Sequence, residues 1–492
     1  KSTGSSINAT RNPLCQCRGQ SILLLSSSDT ELSSRRLRAR LVTTCPSPCS
    51  HLSGHSGKQF WVKYDQVLVH NGQNQLPGPD TVEGVLTLDD VDLGGRTVLY
   101  RVDVNSPLEP STGRLLDDGR LKAIIPTLDS LSSSRVAIMG HQSRPGKSDF
   151  TSMQKHCERL SQLLGKKIRF VPDICGDVAV EAIGSLSDGD MIFLDNVRMN
   201  EEEYGTQYAS NEQTEDTSLV SRLSSVSDLL VTDAFAAAHR RSPTLTGFTN
   251  TIPCVAGTLM EKEIRNLRTA LRNPPEPYLA ILGGAKCDDS VRVASNLISK
   301  GQVDKIAFVG VTGNLMLWVA GNDIGDRNKG FIRNTLGHDF ETAWETGKKI
   351  FSQNPEKIFL PIDVAVESEG SRRPLSVSDL PTDDPIYDVG LQTLASLKPL
   401  VENAGCILWN GPASYFELPD FAFGTIEILN MCTETDAMTI IGGGHTSALV
   451  NSRGVSSLVT HNSTGGGSTM SFLSGEPMPV IASLKESFQK FG

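Results

Sequence analysis

The 492-residue chain lacks several features that would assign it at once to a common class of protein. No apolar run approaches the roughly 20 residues that a membrane-spanning helix needs, so we expect no membrane contact. The net charge of −10 argues against nucleic-acid binding, which favours an excess of basic residues. With 38% hydrophobic and 21% charged residues, the chain has the composition of a globular protein of two or three domains.

Familiar catalytic signatures are also missing. The nearest approach to a P-loop has five residues between Gly140 and Gly146, where four are required, and no G-x-G-x-x-G turn is present. We find no Cys–His or Ser–His pair that suggests a nucleophile and its base. The ten cysteines form no disulfide framework, which is typical of a reducing compartment. A zinc cluster is a minor alternative for four early cysteines whose spacing fits no zinc motif: Cys15, Cys17, Cys45 and Cys49.

The first 84 residues differ from the rest of the chain. Residues 1–58 hold eight Lys and Arg against only Asp29 and Glu31, and they are rich in Ser. A basic, acid-poor leader has the composition of an organelle transit peptide. The alternative, which we favour, is an unstructured or artefactually included extension. Residues 59–84 have the composition of a linker.

From Val85 onward, short apolar strands alternate with helical patterns, and each strand ends in a polar residue or glycine. This alternation predicts parallel sheets with helices on both faces. Ligands of such sheets bind beyond the carboxyl ends of the strands. The predicted strands are Thr97–Val102, Val136–Met139, Met191–Leu194, Leu229–Thr232, Leu279–Leu282, Ile306–Val309, Ile358–Leu360, Ile407–Trp409, Thr439–Ile441 and Leu458–Thr460.

The residues that follow the strands divide the chain into two halves. In the first half they are mainly basic or hydrogen-bonding, and a set of arginines at such positions predicts a small anionic substrate, although any single arginine more often forms a surface ion pair. Asp103 and Asn105 could orient a hydroxyl of that substrate. The set comprises Asp103, Asn105, Arg120, His141, Arg144, Arg198 and Arg240.

In the second half, glycines follow the strands. The segment Tyr278–Arg292 shows the pattern most clearly, with an apolar strand, Gly283-Gly284, Lys286 and then a helical repeat. A helix N-terminus reached through glycines attracts anions, although a plain strand-to-helix turn has the same pattern. Together with the later clusters, it favours a nucleotide phosphate site. Those clusters are Gly310, Asn410-Gly411-Pro412, Gly442-Gly443-Gly444 and Gly465-Gly466-Gly467.

Between the halves, Thr258–Leu271 is predicted to form a helix that joins two domains, with Thr258 and Glu261 as a capping box. Phosphoryl transfer needs positioning and positive charge rather than covalent help from the protein. An arginine-lined domain that closes on a glycine-lined domain would supply both and exclude water.

Nine motifs of the chain stand out as a set. They are RVDVNSPL (101–108), GHQSRPG (140–146), LDNVRMNEEE (194–203), DAFAAAHRRSP (233–243), LGGAKCDDS (282–290), LPIDVAVE (360–367), WNGPASYFE (409–417), IIGGGHTSA (440–448) and HNSTGGGS (461–468). These motifs resemble those of the phosphoglycerate kinase family and occur in the family's order. The resemblance covers residues 85–492 and leaves residues 1–84 outside.

The resemblance implies an α/β fold of two Rossmann-like domains with parallel sheets, joined by a hinge helix. The expected division is a leader over 1–84, a phosphoglycerate-binding domain over 85–257 to which 479–492 return, an interdomain helix over 258–272, and a nucleotide-binding domain over 273–478. The implied reaction is reversible phosphoryl transfer between 1,3-bisphosphoglycerate and ADP, giving 3-phosphoglycerate and ATP, with Mg²⁺ as the metal–nucleotide complex.

The resemblance also implies residue roles. The seven residues of the first-half set would hold the phosphoglycerate, while Arg120 and Lys286 would stabilise the transferring group and Glu417 would contact the ribose. The nucleotide site would comprise Gly283, Gly284, Ala285, Lys286, Gly310, Asn410, Gly411, Pro412, Glu417, Gly442, Gly443, Gly444, His445, Thr446, Gly465, Gly466 and Gly467.

Two positions depart from the common family pattern. Ser290 stands where a second lysine is usual, with Arg292 nearby, and His445 stands where an aspartate usually helps to hold the metal–nucleotide complex. These features resemble the archaeal branch of the family. They leave the residues that contact magnesium unassigned, because imidazole suits Mg²⁺ poorly.

Two other functions compete with an active kinase. A catalytically silent nucleotide-binding protein would explain Ser290 and His445, and a nicotinamide-dependent oxidoreductase would share the α/β texture but lacks its fingerprint. We expect a cytoplasmic monomer or homodimer, with import into an organelle through the leader as an alternative.

If residues 1–84 lie outside the catalytic fold, their deletion should leave kinase activity intact. Specific activity and solubility of the truncated and full-length proteins would be compared. An insoluble or inactive truncation would contradict this expectation.

Overall fold

A computed structural model describes residue 82 and residues 84–109, 111–205 and 210–492. The leader, the linker up to residue 81 and the four early cysteines lie outside the described residues. Val82 is 4% exposed, so the truncation test is best made with Val82 retained. None of the helices in the described part is both long and apolar enough to cross a membrane.

The first half is built on a six-stranded parallel sheet in the order β3-β4-β2-β1-β5-β6. All five residues of β1 are buried, as expected for a parallel strand covered on both faces. The strands are β1 (Thr97–Arg101), β2 (Arg135–Met139), β3 (Arg169–Val171), β4 (Met191–Leu194), β5 (Leu229–Thr232) and β6 (Cys254–Ala256). The helices are α1 (Gly119–Ala123), α2 (Ile125–Ser130), α3 (Gln154–Leu164), α4 (Asp177–Gly184), α5 (Glu201–Gly205), α6 (Asn211–Glu215), α7 (Ser218–Ser224), α8 (Pro243–Thr246) and α9 (Thr258–Arg272).

The second half contains another six-stranded parallel sheet, in the order β15-β14-β13-β7-β8-β9, and an antiparallel sheet in the order β11-β10-β12. The strands are β7 (Tyr278–Leu282), β8 (Lys305–Phe308), β9 (Ile358–Phe359), β10 (Asp363–Ser368), β11 (Ser371–Ser376), β12 (Ile386–Val389), β13 (Cys406–Asn410), β14 (Met438–Gly442) and β15 (His461–Asn462). The helices are α10 (Cys287–Ser299), α11 (Gly310–Val319), α12 (Asp326–Leu336), α13 (Phe340–Gln353), α14 (Leu391–Glu402), α15 (Phe423–Glu434), α16 (Gly444–Ser452), α17 (Gly467–Ser474) and α18 (Pro479–Phe491).

Helix α9 belongs to an apolar core that also includes one face of each parallel sheet. Its side chains Met260, Ile264 and Leu267 are fully buried, at the spacing that one helical face requires. The predicted helix is therefore confirmed. Whether α9 acts as a hinge stays a prediction.

Two sequence expectations were wrong. Residues Ser456–Leu458 form a 3-10 turn, and the last strand of the sheet is β15, three residues later than Leu458–Thr460. Thr258 does not cap α9, because it is the first helical residue and Gly257 is the N-cap. The buried carboxylate of Asp233, at the end of β5, accepts the Met260 N–H at 2.9 Å in its place.

The chain end packs against the first half of the molecule. Ser487 of α18 accepts a hydrogen bond from the Cys254 N–H at 2.8 Å, and Val480 donates its N–H to the Ala238 carbonyl at 3.2 Å. The Lys490 ammonium donates to the Asn250 carbonyl at 2.7 Å. These contacts agree with the expected return of residues 479–492 to the first domain, although the domain boundaries themselves stay predictions.

A buried carboxylate on α9 connects the helix to the second parallel sheet. Glu263 is fully buried and lies 2.7 Å from the His461 imidazole of β15. It also accepts hydrogen bonds from Ser463 Oγ at 2.8 Å and from the Thr464 N–H at 2.7 Å. Burial raises the pKa of Glu263, but His461 and these donors outweigh burial and the net pKa is lowered.

We expect Glu263→Ala to lower the free energy of unfolding by about 3–5 kcal/mol, because it leaves the buried partners of the carboxylate unsatisfied. Urea denaturation would measure the loss. Glu261→Ala on the same helix is the control, since Glu261 forms a surface ion pair with Arg265 and its loss should change stability by under about 1 kcal/mol. Equal losses in the two variants would contradict the structural role of Glu263.

Candidate active site

The arginine-rich edge of the first sheet is organised around a buried aspartate. Asp103 follows β1, its side chain is 8% exposed, and its carboxylate lies 2.6 Å from the guanidinium of Arg120 on α1. Burial would raise the pKa of Asp103, but the positive charges of Arg120 and then Arg101 hold that pKa well below its usual range. Asp103 is therefore ionised and fixes Arg120 at the edge of the sheet.

A second pair of buried ionic side chains, Arg101 and Glu203, lies close to Asp103 and Arg120. Arg101 is 1% exposed and donates hydrogen bonds to Thr244 Oγ1 at 2.8 Å and to His141 Nδ1 at 3.3 Å. Glu203, 4% exposed, is 4.0 Å from the Arg101 guanidinium. Burial, with help from the nearby arginines, lowers the pKa of His141 well below its usual value, so the imidazole is neutral and can accept from Arg101.

The loop after β2 brings further predicted residues together. Asn105 Oδ1 accepts the Ser143 N–H at 2.9 Å, and the Arg198 guanidinium donates to the Ser143 carbonyl at 2.5 Å. Burial and then the charge of Arg240 lower the pKa of Arg198 to about 10. Arg144 and Arg240 are exposed. Arginines held this close repel one another, and an arriving anion would relieve that repulsion.

In the second half, glycines allow the turns after β7, β8 and β13 to touch through their backbones. The Gly284 N–H donates to the Pro412 carbonyl and the Gly283 N–H to the Asn410 carbonyl, both at 2.8 Å. A Cβ on Gly283 would lie 2.5 Å from the Pro412 oxygen, closer than side chains approach. Part of the glycine pattern therefore serves backbone contact rather than ligand binding alone.

A cavity of 740 Å³ opens beside these turns, a volume suited to a nucleotide. The remaining predicted nucleotide residues lie outside its lining, mostly at the ends of β13 and β14 and the starts of α16 and α17. The predicted residues that line the cavity are Gly284, Ala285, Gly310, Pro412, Glu417 and His445. Those outside it are Gly283, Lys286, Asn410, Gly411, Gly442, Gly443, Gly444, Thr446, Gly465, Gly466 and Gly467.

The two halves meet at the last glycine triplet. His239 Nδ1 lies 2.5 Å from Ser468 Oγ on α17, and Arg240 donates to His239 Nε2 at 3.1 Å. Burial, followed by Arg240 and with a smaller contribution from Lys286, lowers the pKa of His239 to about 4. A small cavity is lined by Asp103 and Arg120 of the first half and by Thr464 of the second, so residues of both halves meet there too.

The first departure from the family pattern, Ser290 in place of a lysine, has a structural explanation. Ser290 is 1% exposed and its hydroxyl donates to the Gly283 carbonyl at 3.3 Å, so this position faces the strand rather than the ligand side. Arg292 forms ion pairs with Asp288, Asp289 and Glu476. Neither residue is therefore placed as a substitute for the second lysine.

Sequence reasoning missed several residues at the site. Arg101 and Glu203 were overlooked. The position of Arg101 within an apolar strand was a signal in the sequence, because a buried arginine must have a buried partner. His239, which follows β5, was likewise not assigned to the site. Phe331 and Asp388, which line the 740 Å³ cavity, carry no motif that the sequence could reveal.

An arginine cluster and a glycine-lined cavity on two parallel α/β sheets are together the features of a phosphotransferase. The sequence profile described as phosphoglycerate kinase matches residues 88–476. The chain is 41% identical over 406 residues to the phosphoglycerate kinase of Methanocorpusculum labreanum, covering 82% of this chain and 99% of that one. It is 40% identical over 403 residues to the enzyme of Methanothermobacter thermautotrophicus, covering 82% and 97%.

Solved structures agree with this result. The crystal structure of phosphoglycerate kinase from Pyrococcus horikoshii aligns with a TM-score of 0.77 at 34% identity, over 82% of this chain and all of that one. The structure from Coxiella burnetii aligns with a TM-score of 0.67 at 28% identity, over 81% and 98%. The chain belongs to the phosphoglycerate kinase family, a family of glycolytic kinases that use ATP and ADP as substrates.

The lowered pKa of His239 predicts a pH effect on stability. Between pH 6.5, near the unfolded-state pKa, and about 4, the folded-state pKa, the unfolded chain binds more protons, so the free energy of unfolding falls as the pH drops. We expect His239→Gln to make this fall shallower in urea denaturation at several pH values. His338→Gln is the control, because the His338 side chain is 94% exposed, and a wild-type slope in His239→Gln would contradict the prediction.

Proposed function

We propose that the chain catalyses reversible phosphoryl transfer between 1,3-bisphosphoglycerate and ADP, giving 3-phosphoglycerate and ATP. The phosphoglycerate is held at the edge of the first sheet, where its negative charge meets the arginines and its hydroxyl meets Asp103 and Asn105. His141 and Arg144 complete this side. The observation that carries the proposal is the Asp103–Arg120 pair, which fixes a guanidinium beside Thr464 of the glycine-rich half.

The nucleotide occupies the 740 Å³ cavity in this proposal, with Glu417 at the ribose and the glycine turns at the phosphates. Asn410 supports this assignment, because its side-chain oxygen is buried beside Gly442 and has no hydrogen-bond partner among the described residues. An unpartnered buried polar atom next to a glycine triplet is typical of a binding site. Lys286, exposed at the N-terminus of α10, would contact the transferring group from this side.

Mg²⁺ enters as part of the substrate in this proposal. Across the described residues, no group of three or more His, Cys, Asp or Glu side chains could hold a metal ion. Phosphate oxygens are the ligands that Mg²⁺ prefers, and they arrive with the nucleotide. His445, at the rim of the cavity, is better suited to a hydrogen bond with phosphate than to the ion.

The mechanism needs no protein nucleophile. Arg120 and Lys286 approach the moving phosphoryl group from opposite sides, neutralise its equatorial oxygens and hold donor and acceptor in line. We also propose a cytoplasmic monomer or homodimer, which the six free and buried cysteines of the described part support. No observation favours a catalytically silent nucleotide-binding protein.

We expect Arg120→Ala to lower kcat about 10²–10³-fold, because it removes charge stabilisation that is greatest in the transition state. A coupled assay of ATP-dependent 3-phosphoglycerate phosphorylation measures kcat. The kcat of the more conservative variant Arg120→Lys should also fall, which would show that the loss in Arg120→Ala does not come from misfolding. Arg114→Ala is the control, since Arg114 lies on the preceding loop in an exposed pair with Glu109. An unchanged kcat in Arg120→Ala would refute the assigned role, and a wild-type protein without turnover would refute the proposed function.

A further inference from the structure

Helix α12 forms one wall of the 740 Å³ cavity and has two distinct faces. Phe331 lines the cavity and is 55% exposed, while Ile332, which also lines it, and Leu336 are buried. Arg333 follows Phe331 by two positions, which is roughly 200° around a helix. Phe331 and Arg333 therefore point in nearly opposite directions from the same turn.

The face of α12 away from the cavity is attached to its neighbours by cation–π contacts. The Arg333 guanidinium carbon lies 4.9 Å from the ring centroid of Trp318 on α11 and 5.5 Å from that of Phe340 on α13. Lys329 Nζ lies 5.7 Å from the same Trp318 ring and 2.6 Å from the Asp323 carboxylate. Cations prefer the faces of such rings, so Lys329 in the first turn and Arg333 in the last turn tie α12 to two other helices.

The first turn of α12 is also held by hydrogen bonds from a buried asparagine. Asn328, 7% exposed, donates to the Ile324 carbonyl at 2.9 Å and the Asp384 carbonyl at 3.1 Å. Its side-chain oxygen accepts the Ile386 N–H of β12 at 3.0 Å, and β12 also lines the cavity. The N-terminal end of the wall is thus held by hydrogen bonds, and the C-terminal end is held by the buried Ile332 and Leu336 together with the aromatic contacts of Arg333.

We propose that Arg333 is a positioning residue for the nucleotide: from outside the cavity it fixes α12 so that Phe331 presents its ring to the nucleobase. A purine has an aromatic face, and stacking on a preplaced phenyl ring costs less ordering than stacking on a mobile one. The proposal rests on the assignment of this cavity to the nucleotide. The proposed effect concerns nucleotide affinity and not phosphoglycerate affinity, because no arginine of the first half lines this cavity.

The test uses Arg333→Met, which keeps the length and apolar stem of the side chain and removes its charge. One cation–π contact at a partly exposed site corresponds to about a two- to fivefold change in an equilibrium constant. The KM for MgATP and the Kd for Mg-ADP, the latter by calorimetry without phosphoglycerate, should rise by about that factor. The kcat and the KM for 3-phosphoglycerate should stay unchanged, and Arg333→Lys should restore part of the nucleotide affinity.

A matched control and a double-mutant cycle sharpen the test. Lys348→Met removes the same kind of contact, since Lys348 Nζ lies 5.5 Å from the Trp344 ring, but on α13, which supplies no lining residue to the cavity. It should leave all three kinetic constants unchanged. In the Phe331→Ala background, Arg333→Met should add little further loss of affinity, because its effect passes through Phe331.

The outcomes distinguish the possible failures. A wild-type protein that binds no Mg-ADP would refute the proposed function and this inference with it. Normal nucleotide binding by both wild type and Arg333→Met would refute the inference alone. Equal losses in the KM for 3-phosphoglycerate, or additive losses in the Phe331→Ala background, would show a general structural role rather than positioning.

Discussion

Two buried carboxylates at helix α9 are the constraint on which the rest of the structure depends. Asp233 accepts hydrogen bonds from the Tyr100 hydroxyl at 2.5 Å, from Thr127 Oγ1 at 2.6 Å and from the Met260 N–H at 2.9 Å. Glu263, one turn along, meets His461 and the loop that follows it. A buried carboxylate is costly unless its acceptor sites are filled. The first sheet must therefore sit where Asp233 meets the start of α9, and the second where His461 and the loop after it meet Glu263.

This constraint extends to both sides of the site. Asp233 lines the same small cavity as Asp103 and Arg120, so the residue that caps α9 is also a neighbour of this arginine. Glu263 fixes Thr464, which is followed immediately by the last glycine triplet. In that triplet, a Cβ on Gly465 would lie 2.5 Å from the Phe235 ring of the first half. The residues around α9 thus set the spacing between the arginine-rich edge of the first half and the last glycine triplet of the second.

The sequence predicted those parts of the fold that depend on local pattern. The alternation of strands and helices, the helix of α9 and the turn at Gly283-Gly284 were correct because periodicity and glycine turns are encoded within a few residues. The cap of α9 was wrong because Asp233 reaches it from 25 or more residues away, which no local motif can show. The three-residue strands β3 and β6 were missed and the two-residue strand β15 was misplaced, since so few residues carry little pattern. The antiparallel strands β10, β11 and β12 were also missed. The partnership of Arg101 with Glu203 and the packing of Phe331 against the cavity likewise arise only in three dimensions.

Placing the arginines together at this edge costs free energy, and a bound anionic substrate would offset part of that cost. Burial lowers the pKa of Arg101, and burial together with neighbouring positive charge lowers that of Arg198 to about 10, so both guanidinium groups are less stable here than in water. Glu203 and Asp103 offset part of this cost inside the protein. The exposed Arg144 and Arg240 remain available toward solvent. A small polyanion would therefore gain twice, from its own contacts and from relief of the repulsion between the arginines. A neutral sugar of the same shape would gain neither, so charge rather than shape is the first basis of selection at this edge.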